Sequence, residues 1–365
     1  MLAYEISQLD VSVQRLGTVL VPDGNPKEAD GVLNPAIART RKNTLLMYPR
    51  CVAEGNISRI GLVRGRDDER PRFERLGYAL EPSAPYERRP HPGYGCEDPR
   101  VTFVPALDLY VMTYTAFGPD GPRIAVAVSH DAMEWQRVGK LMFSRPGMHI
   151  GDDKDAAFFP EPVRSPAGVL SLAFYHRPML HLSAVDGRAA IPLIEKMPFH
   201  DRESIRLGYI PLEPVLKDRS KLLEVAESVL VMSPDAHWGS LKLGAGTPPV
   251  RIDEGWMSLF HAVDVLDHHG AKPKFRYSAG IMIHDGERPQ VLRYRSPEPV
   301  LTPETDDEKR GIVDNVVFPT GIDPRPDLGE RVFDVYYGMA DQKIGAARLT
   351  LGESSASRER AESAA

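Results

Sequence analysis

Gly95-Cys96-Glu97-Asp98-Pro99-Arg100, running on into Val101-Thr102-Phe103-Val104, is the stretch on which the reading of the chain turns. Two adjacent carboxylates are followed by a proline, an arginine and a strand-like run. A proline biases the residue before it toward extended backbone, so Asp98 is expected at the mouth of a strand and not in a helix. A carboxylate there, with a cation two residues on, can serve as an acid/base device. Taken alone, Glu-Asp-Pro-Arg reads more simply as a strand-opening turn with a solvated salt bridge. Its surroundings change that balance. Leu109 to Phe117 (LYVMTYTAF) and Arg123 to Asp131 (RIAVAVSHD) follow as two further apolar runs.

The same order recurs five times: a proline-containing opening, an aromatic-rich strand, a second apolar strand. The first unit has Asn34-Pro35, Leu45 to Arg50 and Ser58 to Val63. The second opens at Asp98-Pro99. The third has Phe159-Pro160-Glu161-Pro162, Leu170 to Pro178 and Ile205 to Ile210. The fourth has Thr247-Pro248-Pro249, Trp256 to Asp264 and Tyr277 to Asp285. The fifth has Phe318-Pro319, Phe333 to Asp341 and Lys343 to Leu349. Prolines 35, 99, 162, 249 and 319 are 64, 63, 87 and 70 residues apart. Those intervals exceed the needs of a compact four-stranded blade, so some blades should carry long loops. Radial repetition of small antiparallel sheets solves the edge-strand problem. The repeats therefore predict an all-β, five-bladed β-propeller, read as one domain over residues 1–351. A decorated β-sandwich would not repeat one unit five times. Residues 1–30 should pack across the blades or close the ring. The small, polar residues 352–365 read as a disordered tail. The one helix expected lies between Ser220 and Leu230, from the spacing of its apolar residues.

Bulk properties narrow the function. The chain has 365 residues and a formal net charge of −6, which gives no electrostatic case for nucleic acid or an anionic membrane. It has only two cysteines, Cys51 and Cys96, without metal-site or disulfide spacing. No apolar run is long enough to span a bilayer, and the first residues lack a signal core, so a cytoplasmic location is expected. The 33 prolines and 30 glycines imply many turns, in keeping with β architecture.

In a propeller the strand openings converge on the central channel. Here they carry Asn34, then Glu97 and Asp98, then Asp152, Asp153, Lys154 and Asp155, then Lys242, then Asp314 and Asn315. Polar groups at related positions are hard to explain as core and suit a water-filled pocket for a hydroxyl-rich ligand. The strand ends add Tyr114, His176, Arg177, His261 and Asp341. Asp98 is the strong acid candidate. Arg59, His176, Arg177, Lys242 and His261 form a cationic set suited to an oxyanion such as phosphate, although each alone reads as a local salt bridge. Leu243-Gly244-Ala245-Gly246-Thr247-Pro248-Pro249 is only superficially a phosphate loop, because the prolines prevent the helix that would follow it. His268-His269 reads as a solvated pair, and no metal site is expected. Trp135, Trp238 and Trp256 read mainly as core.

These segments, together with Ser58-Arg59-Ile60-Gly61, Tyr114-Thr115-Ala116, His176-Arg177-Pro178, Asn315-Val316-Val317-Phe318-Pro319 and Tyr336-Tyr337-Gly338, resemble glycoside hydrolase family 130 over about residues 30–350. The family comprises inverting β-mannoside phosphorylases and related β-mannosidases on a five-bladed propeller. The resemblance implies Asp98 as general acid, passing its proton through the 3-hydroxyl of the bound mannose. Inorganic phosphate, a co-substrate and no cofactor, would attack the anomeric carbon and give α-mannose 1-phosphate. It further implies phosphate or sugar contacts at Arg59, His176, Arg177, Lys242, His261 and Tyr277. Substrate contacts are implied at Asn34, Glu97, Arg100, Tyr114, Asp155, Asp314 and Asp341. Phe260 departs from the pattern, standing where many phosphorylases have tyrosine. The poorly matching segment Leu180 to Val231 could shape the aglycone site or a homo-oligomer contact. An inverting β-mannosidase and a catalytically silent sugar-binding propeller are the alternative expectations.

Overall fold

Each repeat folds as an antiparallel sheet of four principal strands. The computed structural model describes residues 6, 8–66, 72–143, 151–180, 187–267 and 273–352. The first strand among the described residues is β1 (Val11–Leu20). Blade one is β2 (Gly31–Arg39), β3 (Leu45–Ala53), β4 (Ile57–Arg66) and β5 (Arg72–Leu80). Blade two is β6 (Tyr94–Val104), β7 (Leu109–Gly118), β8 (Gly121–Ser129) and β9 (Gln136–Lys140). After the short β10 (Met142–Phe143), blade three takes β11 (Asp153–Phe158), β12 (Val163–Arg164), β13 (Leu170–Pro178) and β14 (Ile205–Pro211). The short β15 (Glu224–Val225) pairs with β10, and β16 (Glu227–Met232) completes blade three. Blade four is β17 (Lys242–Ala245), β18 (Val250–Ile252), β19 (Gly255–Asp267), β20 (Lys274–His284) and β21 (Leu292–Arg295). Blade five is β22 (Val317–Pro324), β23 (Val332–Met339) and β24 (Lys343–Leu351), with β1 as its outer strand.

The inner strands make the ring. β2 lies against β22 and β6, β6 against β11, β11 against β17, and β22 against β19 and β20. Every blade is apolar on both faces because it is sandwiched between neighbours. Tyr48 and Tyr114 belong to one apolar cluster spanning blades one and two, Val126 and Phe174 to one spanning two and three, and Tyr175 and Trp256 to one spanning three and four. Leu259 and Val335 share a cluster spanning four and five, and Met47 and Tyr336 one spanning five and one. β1 runs antiparallel to β24, from Val11 opposite Leu351 to Leu20 opposite Ile344. The last blade thus receives its outer strand from the start of the chain.

The helix expected at Ser220 to Leu230 is absent. Arg219–Leu223 is a short 3-10 turn, and the chain then enters β15 and β16. Val225, Val229 and Val231 are β-branched, and blade three needs an outer strand against β14. Helices occur instead at α1 (Gly187–Lys196), α2 (Leu212–Lys217) and α3 (Asp306–Lys309). His268-His269 and residues 353–365 lie outside the described residues.

A second correction concerns Asp98 itself. The following proline predicted an extended residue, yet Asp98 has φ 47°. Asn34, also before a proline, has φ 44°, and Asp155 has φ 59°. All three sit where an inner strand slips register against its neighbour: between Leu33 and Ala36, between Glu97 and Arg100, and between Lys154 and Ala157. Such bulges bend the strand and re-aim a side chain. Asn and Asp tolerate the left-handed region better than other residues with a Cβ. Before proline the conformation is still strained, and strain of this kind gathers at functional sites.

Candidate active site

The three left-handed residues belong to consecutive blades, and the structure draws two of them together. Asn34 Nδ2 donates to Asp98 Oδ1 at 2.9 Å. Arg50 Nη1 reaches the same oxygen at 3.2 Å, while its Nη2 pairs with Glu97 Oε1 at 3.0 Å. Lys154 Nζ, from blade three, holds the other Glu97 oxygen at 3.1 Å. Asp98 and Glu97 are both buried. Burial alone would raise the Asp98 carboxyl, but Arg50, Lys154, Arg100 and the Asn34 hydrogen bond outweigh it and hold it below the usual carboxylate range. Asp341, on the turn after β23 with φ 53°, lies within the field of the same charges. Burial pushes its carboxyl up to about 6, with Asp98 and Glu97 adding to the rise and Arg50 and Lys154 opposing it.

A second cluster adjoins the first through Arg100. Its guanidinium donates to the carbonyls of Asp98, Gly246 and Ala245 and faces Asp155 Oδ1 at 3.5 Å. Asp155 also takes Arg177 Nε at 2.6 Å and lies 3.5 Å from His261 Nε2. Its carboxyl is held well below the ordinary range: burial is overcome by Arg177, His261 and Arg100. Arg177 is further clamped by Glu203. His261 is pushed down to about 3, first by burial, with Asp155 opposing and Arg177, Arg100 and Lys242 adding to the fall, so it is neutral at neutral pH. Its ring packs on Phe318 at 4.2 Å and near Tyr277, over whose ring Lys242 Nζ sits at 5.8 Å. Gly244 is required beside them, since a Cβ there would overlap the Asp155 carboxylate and the His261 ring. Thus Asn34, Glu97, Asp98, Arg100, Asp155, Arg177, Lys242, His261, Tyr277 and Asp341 come together from all five blades.

Four expected residues do not join them. His176 is adjacent to Arg177 on β13, and successive strand residues face opposite ways. Its Nδ1 is bonded to Asp153 at 2.7 Å and its Nε2 to Ser228 at 2.8 Å, inside blade three. Tyr114 donates its hydroxyl to the buried Glu87 at 2.7 Å between blades. Arg59 binds the Lys27 carbonyl at 2.9 Å and pairs with Glu81. Asp314 is exposed and accepts from the Gly311 N–H at 3.3 Å. In the other direction, Arg50 and Glu203 were missed. Arg50 carried a signal, a charge closing the apolar run Leu45 to Tyr48. Glu203 carried none, because its role depends on a loop folding back onto Arg177. Among the described residues, no group of three or more His, Cys, Asp or Glu side chains is disposed to hold a metal.

A propeller that gathers a buried carboxylate and a cluster of cations where its inner strands converge is in keeping with a glycoside phosphorylase, the class that the family match defines. A family profile described as β-1,4-mannooligosaccharide phosphorylase matches residues 9–186 and 204–354. The chain belongs to glycoside hydrolase family 130. It is 27% identical over 335 residues to a β-1,2-mannobiose phosphorylase of Thermoanaerobacter sp. (strain X514), covering 88% of this chain and 90% of that one. A 1,2-β-oligomannan phosphorylase of the same organism is 29% identical over 260 residues, covering 70% of this chain and 69% of that one. The solved structure of the Listeria innocua β-1,2-mannobiose phosphorylase bound to β-1,2-mannobiose superposes with a TM-score of 0.65 at 18% identity, over 93% of this chain and 96% of that one.

Proposed function

We propose that the protein is an inverting β-mannoside phosphorylase, a hexosyl-transferring enzyme that cleaves a β-mannosidic di- or oligosaccharide with inorganic phosphate. The observation that carries this reading is how the carboxylates around Asp98 are engaged. Glu97 lies between Arg50 and Lys154, Asp155 between Arg177 and Arg100, and Glu203 against Arg177. Asp155, whose carboxyl is held well below the ordinary range despite its burial, is a poor base for activating water, and Glu97 and Glu203 have their oxygens engaged by cations. Phosphate needs no such base, because it is itself the nucleophile. Arg177, Lys242 and neutral His261 supply donors and positive charge for it.

In this mechanism the Asp98 proton passes through the 3-hydroxyl of mannose to the glycosidic oxygen as the C1–O bond breaks. A phosphate oxygen bonds to C1 from the opposite face, giving α-mannose 1-phosphate and the shortened sugar. The proton carried by hydrogen phosphate restores Asp98, so no external acid is consumed. The substrate side is assigned to Asn34, Glu97, Arg100, Asp155 and Asp341. We place the reaction in the cytoplasm, where phosphate is available and the charged product is retained. No helix among the described residues is long and apolar enough to cross a membrane.

The deciding experiment is product release from β-1,2-, β-1,3- and β-1,4-mannobiose with and without phosphate, alongside Asp98→Asn. Mannose 1-phosphate formed only with phosphate, and falling about 100-fold or more in Asp98→Asn, is the expected result. Free mannose released equally without phosphate would overturn the reading in favour of an inverting β-mannosidase. Asp341, with its carboxyl near neutrality, would then be the base to examine.

A further inference from the structure

The loop between α3 and β22 carries two apolar residues in the open: Ile312 is 62% exposed and Val313 36%. Their position relative to the pocket is tightly fixed. The Val313 N–H donates to the Ala340 carbonyl at 3.2 Å, and the Ala340 N–H donates to the Val316 carbonyl at 3.1 Å. A Cβ at Gly311 would collide with the Ala340 carbonyl, so the loop lies directly against the turn that carries Asp341. On its other side, the Asn315 carbonyl accepts from the Tyr277 N–H at 3.0 Å. The loop base is held by α3, whose buried Glu308 binds Arg15 and Tyr337. A rigid apolar lip therefore bridges the Asp341 edge and the Tyr277 edge of the pocket. Two exposed aliphatic side chains beside a polar pocket suit the C–H face of a sugar ring better than another phosphate or water.

We propose that Ile312 and Val313 form the platform on which the leaving-group sugar of the β-mannoside packs, and so help set acceptor preference. The inference rests on the phosphorylase reading above. Sugars pack through one weakly polar face, and a platform already rigid before binding adds affinity without an ordering cost.

The test runs the reaction in the synthetic direction, with α-mannose 1-phosphate as donor and mannose or mannobiose as acceptor. Ile312→Asp and the milder Ile312→Ser are compared with wild type. Both substitutions are at an exposed site, so folded protein is expected, checked by thermal unfolding. The expected result is an acceptor KM raised about ten-fold in Ile312→Asp, less in Ile312→Ser, with the KM for mannose 1-phosphate unchanged. An unchanged acceptor KM in both variants would overturn the proposal. So would Ile312→Asp converting an oligomer to a monomer by light scattering without moving that KM, which would make the lip a contact between copies. A wild-type enzyme that forms no glycoside from mannose 1-phosphate with any acceptor would instead remove the phosphorylase reading, and this inference with it.

Discussion

Asp98 presents a chemical tension. In the proposed role of general acid it must carry a proton, yet Arg50, Lys154 and Arg100 overcome its burial and hold its carboxyl low in the free enzyme. An incoming phosphate would bring negative charge to the adjoining cationic cluster and raise the carboxyl at the moment its proton is needed. The tension also gives a signed prediction. A general acid fails as pH rises through its pKa, so the alkaline limb of kcat is expected to report Asp98 in the complex with sugar and phosphate. Removing one depressing cation with Lys154→Met should raise that pKa and move the limb to higher pH. A limb that stays in place would show that another group titrates there. Of the residues expected from sequence, those whose type and neighbours matter reached the pocket. His176 failed because its own neighbour, Arg177, takes the pocket side of the same strand. Arg50 was overlooked because its guanidinium acts through Glu97 and Asp98, far away in sequence.

At the scale of elements, the inner strands do most to build the site. Bulges on β2, β6 and β11 turn Asn34, Asp98 and Asp155 into left-handed backbone, which an unbroken ladder would not allow. The blade-four counterpart, β17, instead contributes absence of bulk. Gly244→Ala would push against the Asp155 carboxylate and the His261 ring. The phosphate KM should rise about ten-fold or more while the global fold persists, as read by phosphate titration beside circular dichroism. Unaltered phosphate kinetics would mean that this cluster is not where phosphate sits. The glycine run was legible as a tight turn near ligand, but the atoms it yields to were not.

Across the whole molecule, stability depends on closing the ring and on apolar contact between blades. Arg15 on β1 binds the fully buried Glu308 at 3.0 Å, together with Glu304 and the Thr302 carbonyl. Arg15→Met should leave that carboxylate without its cation and cost about 3 kcal/mol in denaturant unfolding. A loss under about 0.5 kcal/mol would put the pair with ordinary surface bridges. Between blades three and four, burial pushes the His284 imidazole down to about 4, the Pro289 carbonyl opposing, beside Phe159 and Tyr175. Its folded value lies below its unfolded one, so the unfolded chain binds the extra proton first. Stability should therefore fall as pH drops from about 6.5 to about 4, by about 3 kcal/mol, and level off below. His284→Phe should flatten that slope in urea unfolding at pH 7 and pH 4.5, and an undiminished slope would assign it to other groups.

The five repeated units, their strand pairs and the β-propeller were legible in the chain alone, and Asp98 with its cationic neighbours stood out there as the candidate site. These are local properties: strand-forming runs, prolines and residue types survive as signals wherever the chain goes. Which face each strand turns to the channel, and that β1 completes the last blade, emerged from the folded chain. There, too, Arg50, Lys154 and Asp341 come to share one electrostatic field with Asp98. Strand alternation makes a one-residue shift exchange pocket for core, and bulges introduce such shifts without a marker in composition. Charge interactions across a ring depend on distances between blades, which no stretch of sequence contains.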